Sequence, residues 1–217
     1  MDPKRIVADG FDRIAETYAA WVERDGIGRR ERHLALLEAE LPAGARVLDL
    51  GCGAGVPIAR RLAARFEVTG VDISERQIEL AQHAVPAATF VHGDMAAQSF
   101  PEASFDAVVA FFSIFHLPRE EHGALFGRIA SWLRPGGYLV ASTGARSDPG
   151  TVEEDWLGAP MYWSFYSSEK SLELLRASGL EIERADEATG EEDGQPVTFL
   201  WIVARKPDGT AGWGGAR

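Results

Sequence analysis

Residues 47–55 read VLDLGCGAG: an apolar strand with an aspartate set into it, then glycines at 51, 53 and 55. Glycine at every second position marks a loop whose backbone comes close to something, because a residue without Cβ accepts positive φ and close approach alike. A nucleotide phosphate, a nucleoside without phosphate and tight internal packing all satisfy the pattern. The choice depends on what the chain places around the loop.

Working outward, strand-like runs rich in Val, Ile and Phe recur at 46–50, 67–72, 88–94, 105–112, 137–143, 180–185 and 197–205. Between the early ones lie helical spacings. VPIARRLAARF (56–66) puts Val56, Ala59, Leu62, Ala63 and Phe66 on one face, with Pro57 suited to a first helical turn. SERQIELAQHA (74–84) opens with Ser74 and Gln77 in capping-box spacing, with Ile73 and Ile78 at the positions of a hydrophobic staple. In REEHGALFGRIASWLRPGG (119–137), Leu125, Ile129 and Leu133 recur every four residues before Pro135-Gly136-Gly137 ends the pattern. Strand, helix, strand with short connections predicts right-handed crossovers onto a mostly parallel sheet covered on both faces, an α/β sandwich. The last two strands lack room for a crossover helix, so they are expected as an antiparallel hairpin at a sheet edge.

The first 45 residues read as two helices, the second at 29–41; residues 144–171 form a long aromatic insertion, and KPDGTAGWGGAR (206–217) is expected to be a disordered tail. The chain of 217 residues, 46% hydrophobic, suits one sizeable core. No apolar run approaches the roughly 18 residues that span a bilayer, and the N-terminus lacks the apolar core of a signal peptide, so a soluble cytoplasmic protein is expected. Cys52 is the sole cysteine, which excludes an internal disulfide and fits a small buried residue between glycines. The histidines do not cluster, and no metal is expected. A net charge of −11 argues against a nucleic-acid footprint, which needs clustered Lys and Arg. Much of the acidic excess lies at 181–193, with seven acids against one arginine, as befits a solvated edge strand and loop.

A dinucleotide fingerprint would need a third glycine at 56, where the chain has Val56. Asp49 stands two residues before Gly51; a carboxylate there repels a pyrophosphate and favours a cationic amine. Asp72 ends the second strand 21 residues after Gly51, where an aspartate accepts from both hydroxyls of a ribose. Asp94 ends the third. Three acids on one rim fit a nucleoside with a ribose, an exocyclic amine and a positively charged tail.

This constellation resembles the class I S-adenosylmethionine-dependent methyltransferases through most of residues 11–205. The resemblance implies a Rossmann-like sandwich with a mostly parallel seven-stranded sheet and an antiparallel last strand, an N-terminal helical lid over 1–45 and a cofactor-binding domain over 46–205. It also implies roles. Asp49 would lie near the methionine amine, with Gly51 and Gly53 bringing backbone against the ligand; Asp72 would hold the ribose, Ile73 flank the adenine, and Asp94 meet the adenine amine with Met95 beside it. Phe111 would offer backbone, and Tyr18 would belong to the lid.

The cofactor's sulfonium is already activated, so the protein needs to align an acceptor, exclude water and, for a weak nucleophile, remove a proton. His116, past the fourth strand, is the candidate base; His122 on the next helix is expected to be solvated. Trp156, Tyr162, Trp163 and Tyr166 in the insertion are candidates for an acceptor pocket suited to a planar or apolar small molecule. The leading expectation is O-, N- or C-methylation of a small organic acceptor by a monomer or homodimer. An RNA or protein methyltransferase is disfavoured by charge and by the lack of an Asn-Pro-Pro-Tyr-like segment. Two alternatives keep the loop but change the outcome: a cofactor-binding protein that transfers no methyl (a cyclisation catalyst or partner subunit), and a nicotinamide-dependent oxidoreductase.

Overall fold

Alternation of short apolar strands with amphipathic helices drives each helix back across a sheet face. The computed structural model describes residues 2–25, 28–192 and 195–209. In chain order these form α1 (Pro3–Asp25), a 3-10 turn (Gly28–Arg30), α2 (Glu31–Glu40), β1 (Arg46–Leu50), α3 (Ile58–Ala63), β2 (Glu67–Asp72), α4 (Glu75–Ala84), β3 (Thr89–His92) and β4 (Phe105–Ala110). There follow α5 (His122–Trp132), β5 (Leu133–Gly144), β6 (Asp148–Trp156), β7 (Ala159–Phe165), α6 (Ser168–Ala177), β8 (Glu181–Glu192) and β9 (Gln195–Arg205).

Seven strands pair in the order β3-β2-β1-β4-β5-β9-β8. The pairs from β3 to β5 are parallel, while β9 runs antiparallel to both β5 and β8. This is the expected Rossmann-like sandwich with an antiparallel last strand. The chain reverses its direction of winding between β1 and β4, so a crevice opens there beyond the strands' carboxyl ends. One core layer, with Leu34, Leu37, Ala59, Leu62 and Ile78, packs α2, α3 and α4 on one sheet face. The other, with Leu125, Phe126, Ile129 and Leu175, packs α5 and α6 on the opposite face.

Several sequence expectations are refined. α3 begins at Ile58 with Pro57 at its N-cap, and Ala59, Leu62 and Phe66 from the expected face are buried. Ser74 caps α4, but Ile73 and Ile78 belong to different apolar clusters, so no staple closes between them. The acidic run is an edge strand as expected, but the strand reaches further along it: β8 carries it from Glu181 through Glu192, where charge discourages pairing with another chain, and residue 193 lies outside the described residues. Lys206 is tied to the sheet rather than loose, its N–H donating to Gly137 O at 2.9 Å and its Nζ to Leu133 O at 2.7 Å. Residues 210–217 of the expected tail lie outside the described residues. His122 is 1% exposed rather than solvated: it opens α5 on the same buried face as Leu125, Phe126 and Ile129, where its Nε2 donates to Leu117 O at 3.3 Å.

The aromatic insertion forms a separate two-stranded hairpin, β6 with β7, turning at Leu157 and Gly158, both with positive φ. β7 buries Ala159, Met161 and Tyr162 against Ile6, Val7, Phe11 and Ile14 of α1. N-terminal helix and insertion thus share a third apolar cluster over the carboxyl ends of the strands. No helix among the described residues is long and apolar enough to cross a membrane.

Candidate functional site

Beyond β1 the chain turns at Gly51, with φ +73°, where any Cβ would collide with Ser113. Ser113 in turn donates its hydroxyl to Leu50 O at 2.7 Å, and Gly51 N–H donates to Val71 O at 2.8 Å, so Gly51 seals the loop against the ends of β2 and β4. Gly53 differs. Its φ is also positive, but a Cβ there would meet only Gln77 Oε1, at 3.9 Å, across otherwise open space. The glycine loop thus has a packed side at Gly51 and an open side at Gly53.

Asp72 is shaped by that loop: Gly53 N–H donates to its Oδ2 at 2.8 Å and Ser74 N–H to its Oδ1 at 2.9 Å. Burial nonetheless pushes its carboxyl above the usual range. Asp49, inside β1, is 3% exposed, and its Oδ2 has no hydrogen-bond partner among the described residues. Burial first, and the charge of Asp72 second, raise the Asp49 carboxyl to about 7, while Arg30 works the other way. A buried carboxylate with an unpaired oxygen is stabilised by a cation reaching it.

Three adjoining cavities occupy the crevice. One is bounded by Gly51, Gly53, Asp72, Ile73, Asp94 and Met95, with Phe111 and His116 also on its wall. A second reaches Asp49, Arg30 and Tyr18. A third is mostly aromatic, with Trp21, Phe112, Phe115, Trp156, Trp163 and His116. Tyr18 and Phe112 border all three, and His116 borders the first and third. A larger outer cavity of about 340 Å³ continues past Trp156 and Trp163 to Asp148 and Glu153.

Phe112, just past β4, takes φ +54°, a conformation that non-glycine residues rarely adopt. Its N–H donates to Ser142 Oγ at 2.9 Å, its ring meets Phe199 at 4.9 Å between centroids, and the Arg30 guanidinium lies 5.2 Å over that ring. Such strain persists where neighbours over-determine it, and here it holds a ring at the junction of the cavities.

His116 ends a 3-10 turn and is buried. Its Nδ1 lies 2.9 Å from Tyr162 O; a carbonyl only accepts, so Nδ1 carries the proton and Nε2 keeps its lone pair. Burial lowers its pKa to about 4, which keeps the ring neutral through the physiological range. Phe11 from α1 meets this ring edge-on at 5.1 Å, and Trp163 lies 4.6 Å away.

The expected site residues divide accordingly. Asp49, Gly51, Gly53, Asp72, Ile73, Asp94, Met95, Phe111 and Tyr18 all reach the first two cavities. Asp94 is engaged from above, for Lys4 Nζ of α1 contacts its Oδ2 at 2.7 Å and Glu121 Oε2 at 2.5 Å, while Ala96 N–H donates to Asp94 Oδ1 at 2.8 Å. Trp156 and Trp163 line the aromatic cavities. Tyr162 instead sends its ring into the cluster under α1 and offers only its carbonyl to His116. Tyr166 stands apart from these cavities, its ring under Arg119 at 5.0 Å. Lys4, Phe11, Arg30, Gln77 and Ser113 were not among the expected site residues. They come from elements that meet only after folding, and in the sequence only Gln77 carried a local signal, that of a helix cap. Among the described residues no group of three or more His, Cys, Asp or Glu side chains could hold a metal ion.

The donor set suits a ligand with a cationic amine near Asp49 and hydroxyls near Asp72. Comparison with known proteins bears on the family. Residues 47–137 match a family model described as a methyltransferase domain. The 27-O-demethylrifamycin SV methyltransferase of Amycolatopsis mediterranei is 34% identical over 69% of this chain and 58% of its own length. The 2-methyl-6-phytyl-1,4-hydroquinone methyltransferase of Synechocystis is 33% identical over 77% of this chain and 52% of its own. The chain thus spans little more than half the length of these curated relatives. Among solved structures, a SAM-dependent methyltransferase from Methanosarcina mazei superposes with a TM-score of 0.70 at 20% identity, covering 80% of this chain and 97% of that one, a likeness of fold.

Proposed function

This chain carries a methyltransferase domain of the class I type, and from that premise we propose that it transfers a methyl group from S-adenosylmethionine to a small organic acceptor. The observation that carries the reading is the junction of two unlike cavities at His116 and Phe112, one walled by the glycine loop and its acids, the other by aromatic rings. When bound, S-adenosylmethionine supplies a methyl group activated on a sulfonium. The chain would supply the rest.

On this reading Asp49 receives the α-amino group at its unpaired oxygen and ionises as it does so. Asp72 accepts ribose hydroxyls with the lone pairs left over from its two backbone partners. Ile73 and Met95 flank the adenine, Asp94 faces its amine from beneath Lys4, and Phe111 contributes backbone. Tyr18, with Phe11 and the rest of α1, covers the site and excludes water. Trp156 and Trp163 hold a planar or apolar acceptor, as aromatic walls favour. His116, kept as the Nδ1–H tautomer by Tyr162, presents Nε2 to accept a proton from a hydroxyl or amine as the new bond forms. The names of both curated relatives specify small organic acceptors, and the chain's charge of −11 supports the same class over nucleic acid.

The test is incubation of the protein with S-adenosylmethionine and a panel of phenols, hydroquinones and amines. The expected result is S-adenosylhomocysteine together with a product heavier by one methylene. Cofactor binding without turnover across a broad panel would favour a protein of this fold that transfers no methyl.

A further inference from the structure

The aromatic cavity beside His116 is small. Its volume is about 60 Å³, whereas a dry cavity of about 150 Å³ is what holds a benzene ring. It takes the reacting group of an acceptor and little more. The body of the acceptor then lies in the outer cavity of about 340 Å³, which shares Phe115, Trp156, Trp163 and Phe199 with the inner one.

Phe115 gathers the rings of that outer wall, with Trp163 at 5.4 Å, Phe199 at 5.9 Å and Phe165 at 6.5 Å between centroids; Trp156 stands perpendicular to Trp163 at 5.2 Å. Strand register adds acids to the rings. β6 pairs Asp148 with Phe165 and Thr151 with Trp163, and residues opposed across a ladder share a face, so Asp148, Thr151 and the next residue of that face, Glu153, turn the same way as Trp163. Both acids line the outer cavity, and they are the charged residues on its wall. Glu153 is exposed and Asp148 half-buried. Among the described residues neither joins an ion pair, and Asp148 uses only Oδ1 for its own turn, accepting from Gly150 N–H at 2.8 Å and Thr151 Oγ1 at 3.0 Å.

Aromatic faces bordered by carboxylates attract a cation, because the ring quadrupole and the charge add, and they repel an anion. The inner end differs: Arg30 is the charged residue there, and a cationic group would also face the sulfonium of a bound cofactor. We infer that the acceptor is a ring-bearing molecule with a protonated amine remote from the methylated atom, its ring among Phe115, Trp163 and Phe199 and its ammonium at Asp148 and Glu153. The inference rests on the reading that these cavities serve methyl transfer, and it narrows planar or apolar acceptors to amphipathic cations.

The experiment titrates the full chain calorimetrically with S-adenosylhomocysteine and then, in its presence, with three phenols that differ only in the para substituent: aminoethyl, hydroxyethyl and carboxymethyl. The aminoethyl phenol is expected to bind about 5- to 30-fold more tightly than the hydroxyethyl phenol, the combined worth of a surface ion pair and a cation–π contact, and the carboxymethyl phenol most weakly. Salt at roughly 1 M should remove most of the preference in the wild-type protein. So should the combined substitution Asp148→Asn and Glu153→Gln at low salt, in which the asparagine keeps an oxygen for the turn. An aminoethyl phenol that binds no better than its hydroxyethyl counterpart, or not at all, overturns the inference, as does a preference that survives the double substitution. Absence of S-adenosylhomocysteine binding overturns the methyl-transfer reading, whereas its presence without a preference for the amine overturns the role of the outer cavity alone.

Discussion

Replacing Asp49 by asparagine probes the electrostatic core of the site. The Asp49 carboxyl stands at about 7 against an ordinary 3.8, with burial as the main cause. Between these values the folded protein keeps a proton that the unfolded chain has released, so stability from this group is intact near pH 4 and is lost as pH rises to about 7. At 1.36 kcal/mol per pKa unit the interval amounts to about 4 kcal/mol lost at pH 8. Asparagine carries no charge but keeps an unpaired buried polar group, which costs about 1–3 kcal/mol. The net expectation for Asp49→Asn without ligand is roughly 2 kcal/mol of added stability at pH 8, or about 4–8 °C in unfolding temperature for a chain of this size, and little change at pH 5. Binding should move the opposite way. A cationic amine at the unpaired oxygen favours the ionised carboxyl, so wild-type affinity for S-adenosylhomocysteine should rise with pH towards 7, with proton release detectable by calorimetry in buffers of different ionisation enthalpy. The variant should show neither effect and bind about 10- to 100-fold more weakly, as befits a lost hydrogen bond to a charged group. An Asp49→Asn protein no more stable than wild type at pH 8, or one of unchanged affinity, would refute this account of the loop.

His116→Asn can still donate to the Tyr162 carbonyl but has no Nε2; turnover should fall by about 100-fold or more while affinity for S-adenosylhomocysteine stays within a few-fold. Full activity would leave His116 an ordering role only, and a base of pKa about 4 further predicts turnover that is flat from pH 6 to 8 as far as this residue sets it. Lys4→Met removes the half-buried ion pairs that pin the start of α1 over Asp94 and Glu121. Pairs of this exposure are worth up to about 1 kcal/mol each, so dissociation of S-adenosylhomocysteine, followed by stopped flow, should quicken about 5-fold and lose its salt dependence. An unchanged rate would mean that α1 opens independently of Lys4.

The sheet was legible because its signals are local. Apolar strands of four to six residues, each followed by a helical face, leave little choice of architecture, and acids at successive strand ends land on one rim by topology. The hairpin of β6 and β7 was harder to read, since β6 is exposed along nearly its whole length and shows no alternation of apolar and polar residues. Only the Leu157-Gly158 turn and the apolar residues of β7 marked it, and they looked equally like an aromatic loop. His122 stands three, four and seven residues before Leu125, Phe126 and Ile129, so helical spacing alone places it on the buried face of α5; only its polar side chain at a helix start spoke for solvent. Gln77 was visible as a cap and invisible as a cavity wall, because the glycine loop reaches α4 only once β2 and α4 are in place. Lys4, Phe11 and Arg30 owe their place in the site to long-range packing of the first 30 residues, which sequence spacing does not encode.

The central claim is that the glycine loop seats a cationic nucleoside rather than a dinucleotide. Titrating one preparation of the protein calorimetrically with S-adenosylhomocysteine and with NAD tests it most directly. The account predicts saturable binding of one S-adenosylhomocysteine per chain and no heat attributable to NAD; saturable NAD binding without S-adenosylhomocysteine binding would contradict it.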